Sequence, residues 1–216
     1  MSSVTDAGGP APVPPPSGSP TATRDALTTL TTLTTLTTLT ACDAALDRLF
    51  DRVRGHAGAD TTALVVSNLA DYGFIWAVLA AGKGLGGRRD RRRALRALAV
   101  AGVTSASVNA VVKALVRRER PEGATPSGED RLPVRTPSSS SFPSGHTLAA
   151  YCTAIVLAES PAQLATFVLF ATAVAASRVH LRAHHGTDVL GGAIIGAATG
   201  MLGRRLLMNR MEPTPV

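Results

Sequence analysis

Three short clusters of residues carry the side chains that phosphoryl chemistry needs. A transferred phosphoryl group presents three equatorial oxygens whose negative charge must be held during in-line displacement. Each cluster alone would be weak evidence, but all three fall in one order within about 76 residues. In chain order the clusters are Lys113 with Arg120-Pro121, then Pro143-Ser144-Gly145-His146, then Ser177-Arg178 with His184 and Asp188.

The first task of such a site is to bind the phosphate. Lys113, Arg120 and Arg178 supply positive charge, and a guanidinium can bind two oxygens at once whereas an ammonium acts as a point charge. The backbone N–H groups of Ser144 and Gly145 are predicted to complete the site. They stand just before an apolar run that indicates a helix N-terminus, where the macrodipole favours an anion.

The second task is attack on phosphorus. Asp188 follows His184 by four residues and can accept its Nδ1 proton, which leaves Nε2 free to attack and form a phosphohistidine. His146, beside the phosphate-binding residues, is predicted to protonate the leaving oxygen and then to activate the hydrolytic water. This scheme requires neither a metal ion nor another cofactor.

At these residues the chain resembles the type 2 phosphatidic acid phosphatase superfamily, which includes membrane lipid phosphatases, bacterial acid phosphatases and vanadium haloperoxidases. All three signature motifs match, and the resemblance covers roughly residues 60 to 205. It implies the same roles for the eight residues named above. The sequence around His184 and Asp188 is most similar to that of small bacterial, especially actinobacterial, membrane phosphatases.

Composition places this chemistry in a membrane. The chain has 216 residues, 45% of them hydrophobic and gathered in long blocks, which is typical of an integral membrane protein. The net charge of +7 fits an anionic lipid surface or substrate, and 4% aromatic content offers no base-stacking platform for nucleic acid. The expected partners are therefore a lipid phosphate or diphosphate and the bilayer; the oligomeric state is not predicted.

We divide the chain into four segments. Residues 1–24 are predicted to be a disordered tail, without the basic start and apolar core of a secretory signal. Residues 25–58 combine four Thr-Thr-Leu repeats with an amphipathic stretch, and the uncharged part, 26–42, is open to three readings: a weak spanning helix, an interfacial helix or a linker. Residues 59–206 form the membrane phosphatase domain and 207–216 a C-terminal tail.

Five apolar blocks within the third segment, with residues 26–42 as a possible sixth, predict an all-α membrane bundle of about five or six transmembrane helices. An arginine-rich turn at 83–93 and the basic C-terminus are expected in the cytoplasm. Threading the chain from there brings all three clusters to one face, the extracytoplasmic one. The blocks are residues 61–82, 94–115, 145–159, 161–180 and 188–203.

Several residues have a structural reading beside a functional one. Arg117 and Arg118 are expected to extend to lipid headgroups. Asp71 and Asn109 interrupt apolar blocks, which indicates either functional contact or hydrogen bonds between helices. His180 and His185 are given no catalytic role. The glycines at 191, 192, 196 and 200 indicate close helix packing.

The expected reaction is hydrolysis of a lipid phosphomonoester or diphosphate, with a headgroup in the cationic site and a tail left in lipid. Candidate substrates are polyprenyl diphosphates, a polyprenyl-phosphate sugar phosphate such as decaprenylphosphoryl-phosphoribose, and phosphatidic acid or phosphatidylglycerophosphate. Two alternatives remain: a non-catalytic protein that binds anionic lipid, and a vanadium haloperoxidase. Short length and predicted spans argue against the second alternative.

Overall fold

The computed structural model describes residues 20–121 and 139–209, and within these ranges all regular structure is helical. The all-α prediction is therefore confirmed for this part of the chain. The chain divides between Thr40 and Ala41 into two units. The helices are α1 (Pro20–Asp51), α2 (Ala57–Ala70), α3 (Phe74–Gly84), α4 (Arg88–Leu115), α5 (Gly145–Leu157), α6 (Pro161–His180) and α7 (Gly186–Asn209).

The first unit contains the Thr-Thr-Leu repeat as part of α1. Threonine hydroxyls donate to the carbonyl four residues earlier, as in Thr32 to Thr28 and Thr38 to Thr34, both at 2.8 Å. These bonds satisfy the hydroxyls without a tertiary partner. Leu30 and Leu33 are 61% and 56% exposed. The three readings of residues 26–42, as a spanning helix, an interfacial helix or a linker, stay predictions. Residues 1–19 of the predicted tail lie outside the described residues.

In the second unit α5 and α7 pack together along a row of glycines. A Cβ atom on Gly192 would lie 2.6 Å from the carbonyl oxygen of Ser144, and one on Gly200 would lie 2.9 Å from that of Cys152. Only hydrogen fits at such distances, so the prediction of close packing by these glycines is confirmed. The same contact fixes the start of α5 against the start of α7, where the second and third clusters lie.

The first predicted apolar block is not one continuous helix. A 3₁₀ turn, Asp71–Gly73, separates α2 from α3, and the two helices are bent by 62°. Gly73 adopts φ +72°, a left-handed conformation that glycine enters without a steric cost. The break turns the polar Asp71 away from the direction of α2 and towards the start of α5.

Length and apolarity qualify two of the described helices, α4 and α6, as membrane spans, or three spans if the bent α2–α3 pair counts as one. Helix α5 is apolar but has only 13 residues. The count of five or six transmembrane helices therefore stays a prediction.

The end of α3 and the start of α4 meet the turn after α5 at one end of the bundle. Lys83 Nζ lies 3.3 Å from Glu159 Oε2, and Arg93 Nε lies 3.4 Å from Glu159 Oε1. Because Lys113 lies near the end of α4 and Arg178 near the end of α6, both belong to the opposite end of the bundle. The predicted threading thus agrees with the fold, whereas the side of the membrane on which each end lies stays a prediction.

Candidate active site

One cavity of about 430 Å³ receives six of the eight predicted site residues. They come from four separate places in the fold: α4 and the segment after it, the start of α5, the end of α6, and the loop before α7. The other two, Asp188 and Ser144, are buried and do not line the cavity. We call this space the active-site cavity. The six predicted residues that line it are Lys113, Arg120, Gly145, His146, Arg178 and His184.

The spacing between Arg178 and His184 has a local cause. The N–H groups of Ala183 and His184 both donate to the carbonyl of Arg178, at 3.0 and 3.2 Å, so the chain loops back over the end of α6. Both side chains thereby reach the same cavity. Arg178 is 2% exposed, Nη1 donates to the hydroxyl of Ser67, and Nε has no hydrogen-bond partner among the described residues. Nε of this buried guanidinium is therefore a donor that a phosphate oxygen can satisfy.

A second set of contacts supports this loop from the end of α1 and the turn that follows it. Arg54 donates from Nε to the carbonyl of His180 at 2.9 Å and from Nη2 to that of Val179 at 2.7 Å. A cation at these last carbonyls of α6 also opposes the negative end of the helix dipole. His180 itself pairs through Nε2 with Asp60 Oδ1 at 2.7 Å, so it has a structural partner away from the active-site cavity.

His184 and Asp188 lie together but are not hydrogen-bonded. Nδ1 of His184 is 3.7 Å from Oδ2 of Asp188, and this buried nitrogen has no hydrogen-bond partner among the described residues. Oδ2 accepts instead from the backbone N–H of His185 at 2.9 Å. An approach of about 0.8 Å would bring the pair to hydrogen-bond distance, which catalytic pairs often reach only with substrate bound.

Burial lowers the pKa of His184 to about 4, because an imidazolium would lose its solvation there. The positive charges of Arg120 and Arg178 act in the same direction, and Asp188 opposes them. The ring is therefore neutral at neutral pH, as its predicted role as nucleophile requires. Nη1 of Arg120 lies 3.4 Å from Nε2 of His184, which puts the nitrogen beside a phosphate-binding cation.

The segments that carry the first and second clusters are joined by a backbone hydrogen bond. The N–H of Ser141 donates to the carbonyl of Arg118 at 2.9 Å. Arg120 is held through Nη1 by the carbonyl of Ala183 at 2.7 Å, and Nζ of Lys113 lies 3.4 Å from the hydroxyl of Ser139. The two cations are thus fixed to the segments that precede α5 and α7.

Ser144 is placed differently from the prediction. Its N–H donates to the carbonyl of Asp188 at 3.0 Å, its hydroxyl accepts from Thr147 at 3.0 Å, and the residue is fully buried. The N–H is therefore used between α5 and α7, and Ser144 does not reach the active-site cavity. Gly145 does, and because Ser144 makes no side-chain cap, the first-turn N–H groups of α5 remain available to an anion.

Arg118 is the clearest correction to the sequence analysis. Instead of extending to lipid headgroups, it donates from Nη1 to Asp188 Oδ1 at 2.6 Å and from Nη2 to Asp43 Oδ2. Asp43, 7% exposed, also accepts from the N–H of Thr187 at 2.7 Å. No local pattern marks Asp43 or Arg118, because their partners are distant in sequence.

Asp71 and Asn109 both lie at the site, so the polar interruptions of the apolar blocks were a usable signal. Asp71 Oδ1 is 2.7 Å from Nε2 of His146. Asn109 is on the cavity wall, and its buried Oδ1 has no partner among the described residues. Neither residue belongs to the three clusters.

The other wall of the active-site cavity is apolar. It is formed mainly by small side chains of α2, α3, α4 and α5 with one indole. No three His, Cys, Asp or Glu side chains converge as metal ligands within residues 20–121 and 139–209. The apolar wall comprises Ala70, Trp76, Ala77, Leu98, Ala101 and Ala149.

Two curated relatives align with most of the chain. It is 32% identical to the decaprenylphosphoryl-5-phosphoribose phosphatase of Mycolicibacterium smegmatis over 150 residues, which cover 69% of this chain and 80% of the relative. Identity to the protein of the same name from Mycobacterium tuberculosis is also 32%, over 67% of this chain and 78% of that protein.

Two crystal structures share the fold. The transmembrane PAP2 type phosphatidylglycerolphosphate phosphatase of Bacillus subtilis aligns with a TM-score of 0.64 and 24% identity, over 82% of this chain and 90% of that one. Aquifex aeolicus LpxE aligns with a TM-score of 0.60 and 24% identity, over 75% and 94%. The family model of the PAP2 superfamily matches residues 94–212, which include all three clusters. The family match and the identity to these relatives show that the chain belongs to the PAP2 superfamily.

Proposed function

We propose that this PAP2-superfamily phosphatase removes phosphate from a membrane lipid through a phosphohistidine on His184. The observation that carries the proposal is the mixed lining of one cavity, in which a cationic region of Lys113, Arg120 and Arg178 is combined with apolar side chains that include Trp76 and Leu98. A soluble phosphate ester would need only the cationic region. A lipid phosphate matches both, because its headgroup is anionic and the adjoining chain is apolar.

The reaction divides into two steps. In the first, Nε2 of His184 attacks phosphorus, the bond from phosphorus to the leaving oxygen breaks, and His146 gives that oxygen a proton. In the second, water attacks the phosphohistidine, His146 takes the water proton, and the phosphorus–nitrogen bond breaks to release phosphate. Lys113, Arg120 and Arg178 hold the equatorial oxygens in both steps.

For the substrate, the curated relatives favour a polyprenyl-linked sugar phosphate. The M. smegmatis and M. tuberculosis proteins are named as decaprenylphosphoryl-5-phosphoribose phosphatases. We infer a substrate of this chemical class, a phosphomonoester on a polar group that is attached to a long apolar chain. Polyprenyl diphosphates and phosphatidic acid present the same two features and are the competing substrates to test.

We place the active site on the extracytoplasmic side. The start of α4 carries an arginine cluster at the end of the bundle opposite to Lys113 and Arg178, and such clusters favour the cytoplasm. A lipid substrate whose phosphate lies at the extracytoplasmic surface of this membrane can then reach the cavity.

The test is phosphate release by the purified protein in lipid vesicles across the competing substrates, with a chelator present. His184→Ala is the matched control, since it removes the nucleophile and leaves the cationic residues in place. Release that survives chelation, is lost in the variant and is fastest with one lipid would support the proposal. Folded protein that releases phosphate from none of them would favour a binding role, and equal release by the variant would exclude His184 as nucleophile.

A further inference from the structure

His146 has a carboxylate partner of its own. Its Nε2 lies 2.7 Å from Oδ1 of Asp71, and the two side chains are 26% and 34% exposed. A ring nitrogen at this distance from a carboxylate is a donor, so the Nε2 position carries the proton. Nδ1 is then the nitrogen left for chemistry in the cavity.

The position of Asp71 depends on the break in the bundle. Its φ of −61° and ψ of 136° end α2, and the 3₁₀ turn that it opens closes at Gly73 with φ +72°. Helices α2 and α3 are bent by 62° at this point. A continuous helix would keep Asp71 in register with α2, whereas the break presents its carboxylate to the first turn of α5.

The other charged groups around His146 are mostly cations. Arg178 of α6, Lys113 of α4 and Arg120 after α4 line the same cavity, together with the neutral His184. Asp188 is directed elsewhere, since it bonds Arg118 and the N–H of His185. Positive neighbours disfavour an imidazolium, yet a general acid must carry a proton when the substrate is bound. Asp71 supplies a negative charge at hydrogen-bond distance.

We propose that Asp71 is the positioning residue of the general acid, holding the His146 ring by Nε2 so that Nδ1 delivers a proton to the leaving oxygen. This inference rests on the proposed phosphatase reaction. Asp71 accepts a hydrogen bond throughout and takes no proton itself. As the phosphorus–oxygen bond breaks, the Nδ1 proton moves to the leaving oxygen; in the second step Nδ1 takes a proton from water.

A purely structural reading is that the bond only braces the α2–α3 break against α5. The fold offers a matched control, because Asp60 Oδ1 makes a bond of the same kind and length, 2.7 Å, to Nε2 of His180, away from the active-site cavity. Asp71→Asn and Asp60→Asn each weaken one such bond. A structural role predicts similar behaviour for both variants.

The experiment compares two leaving groups with the full-length protein in lipid vesicles. Loss of a general acid slows release of an alkoxide, as from phosphatidic acid, much more than release of p-nitrophenolate, which needs no proton. For Asp71→Asn we expect kcat on phosphatidic acid to fall at least tenfold and kcat on p-nitrophenyl phosphate to change less than about threefold. The alkaline limb of kcat/KM should move to lower pH, because the imidazolium loses a negative neighbour. Asp60→Asn should show neither change.

Equal losses on both substrates with an unmoved alkaline limb would overturn the proposal. A second readout does not depend on turnover: titration of His146 by NMR in ¹⁵N-histidine-labelled protein. Its pKa should fall in Asp71→Asn and remain unchanged in Asp60→Asn, and an unchanged value in Asp71→Asn would overturn the link between the residues. Wild-type protein that releases phosphate from neither of these substrates and from none of the polyprenyl lipids would overturn the proposed function, and the titration would still decide the link to Asp71.

Discussion

Arg118 binds Asp188 on the carboxylate oxygen opposite to the one that faces His184. The bond from Nη1 to Oδ1 is 2.6 Å long, and Oδ2 of the same carboxylate lies 3.7 Å from Nδ1 of His184. A second carboxylate, Asp43, binds the other terminal nitrogen of Arg118. The carboxylate beside the proposed nucleophile is therefore held by Arg118, which is held in turn by Asp43 of α1.

Removal of this arginine should uncouple Asp188 from the rest of the site. In Arg118→Gln, two buried carboxylates lose their charged donor, which costs about 1–3 kcal/mol for each unsatisfied group. We expect kcat to fall at least tenfold, together with lower stability in a thermal melt. Arg117→Gln is the control, since that neighbour is exposed. A kcat equal to that of the control would show that Asp188 does not need Arg118.

The pH dependence should reveal a neutral nucleophile. Because burial holds the pKa of His184 at about 4, its Nε2 lone pair is available from neutral pH down to that value. The acidic limb of kcat/KM should therefore lie near pH 4 once the titration of the substrate phosphate, near pH 6, has been divided out. A residual midpoint near 6.5 would mean that His184 is solvated in the working enzyme.

The same depressed pKa predicts how stability changes with pH. Between pH 6.5 and 4 an unfolded chain protonates this histidine while the folded chain does not, so the unfolded state binds more protons. The contribution of His184 is complete above pH 6.5 and is lost as the pH falls towards 4. The pH dependence of unfolding by denaturant should be shallower in His184→Gln than in the wild type.

The glycine row between α5 and α7 should not accept a methyl group. In Gly192→Ala the new Cβ would lie 2.6 Å from the carbonyl oxygen of Ser144, so one backbone must move. We expect a destabilisation of about 1–3 kcal/mol and reduced activity, since Ser144 and Asp188 bond across this contact. Gly82→Ala is the control: it lies in α3 with open space around it, and alanine should be neutral or stabilising there. Equal melting temperatures for the two variants would contradict the close contact.

Arg54 should matter for the loop that carries His184. Arg54→Ala leaves the carbonyls of Val179 and His180 without these donors, and we expect a loss of about 1–3 kcal/mol with a lower kcat. The exposed Arg52→Ala is the matched variant. Faster hydrogen exchange at residues 181–185 in Arg54→Ala alone would confirm that the contact acts on this loop.

The orientation can be tested with a C-terminal tag. In the proposed topology the basic end of α7 is cytoplasmic, so an external protease should leave the tag intact in whole cells and remove it after the cells are opened. A tag inserted in the turn between α3 and α4, residues 85–87, should behave in the same way. Removal of either tag from intact cells would reverse the assignment.

Much of the candidate site could be predicted from sequence because residues close together in the chain form it. The residues Arg178 and His184 are joined by a short loop over one helix end, and the glycines of α7 recur at helical spacing. The types of the cations and histidines indicate their chemistry without knowledge of their surroundings. Apolar blocks likewise indicate helices, since a backbone in lipid must satisfy its own hydrogen bonds.

Other relationships were decided only by the tertiary structure. Asp43 and Arg118 are separated by 75 residues, as are Asp71 and His146, and no pattern in one segment specifies a hydrogen bond to a group so distant. The burial of Ser144 depends on how α5 approaches α7, and the position of Asp71 on a break inside an apolar block. Sequence alone identified the candidate groups for the chemistry, because reactivity belongs to residue type. The tertiary structure decided which carboxylates lie beside the two histidines, because these distances arise only when the helices pack.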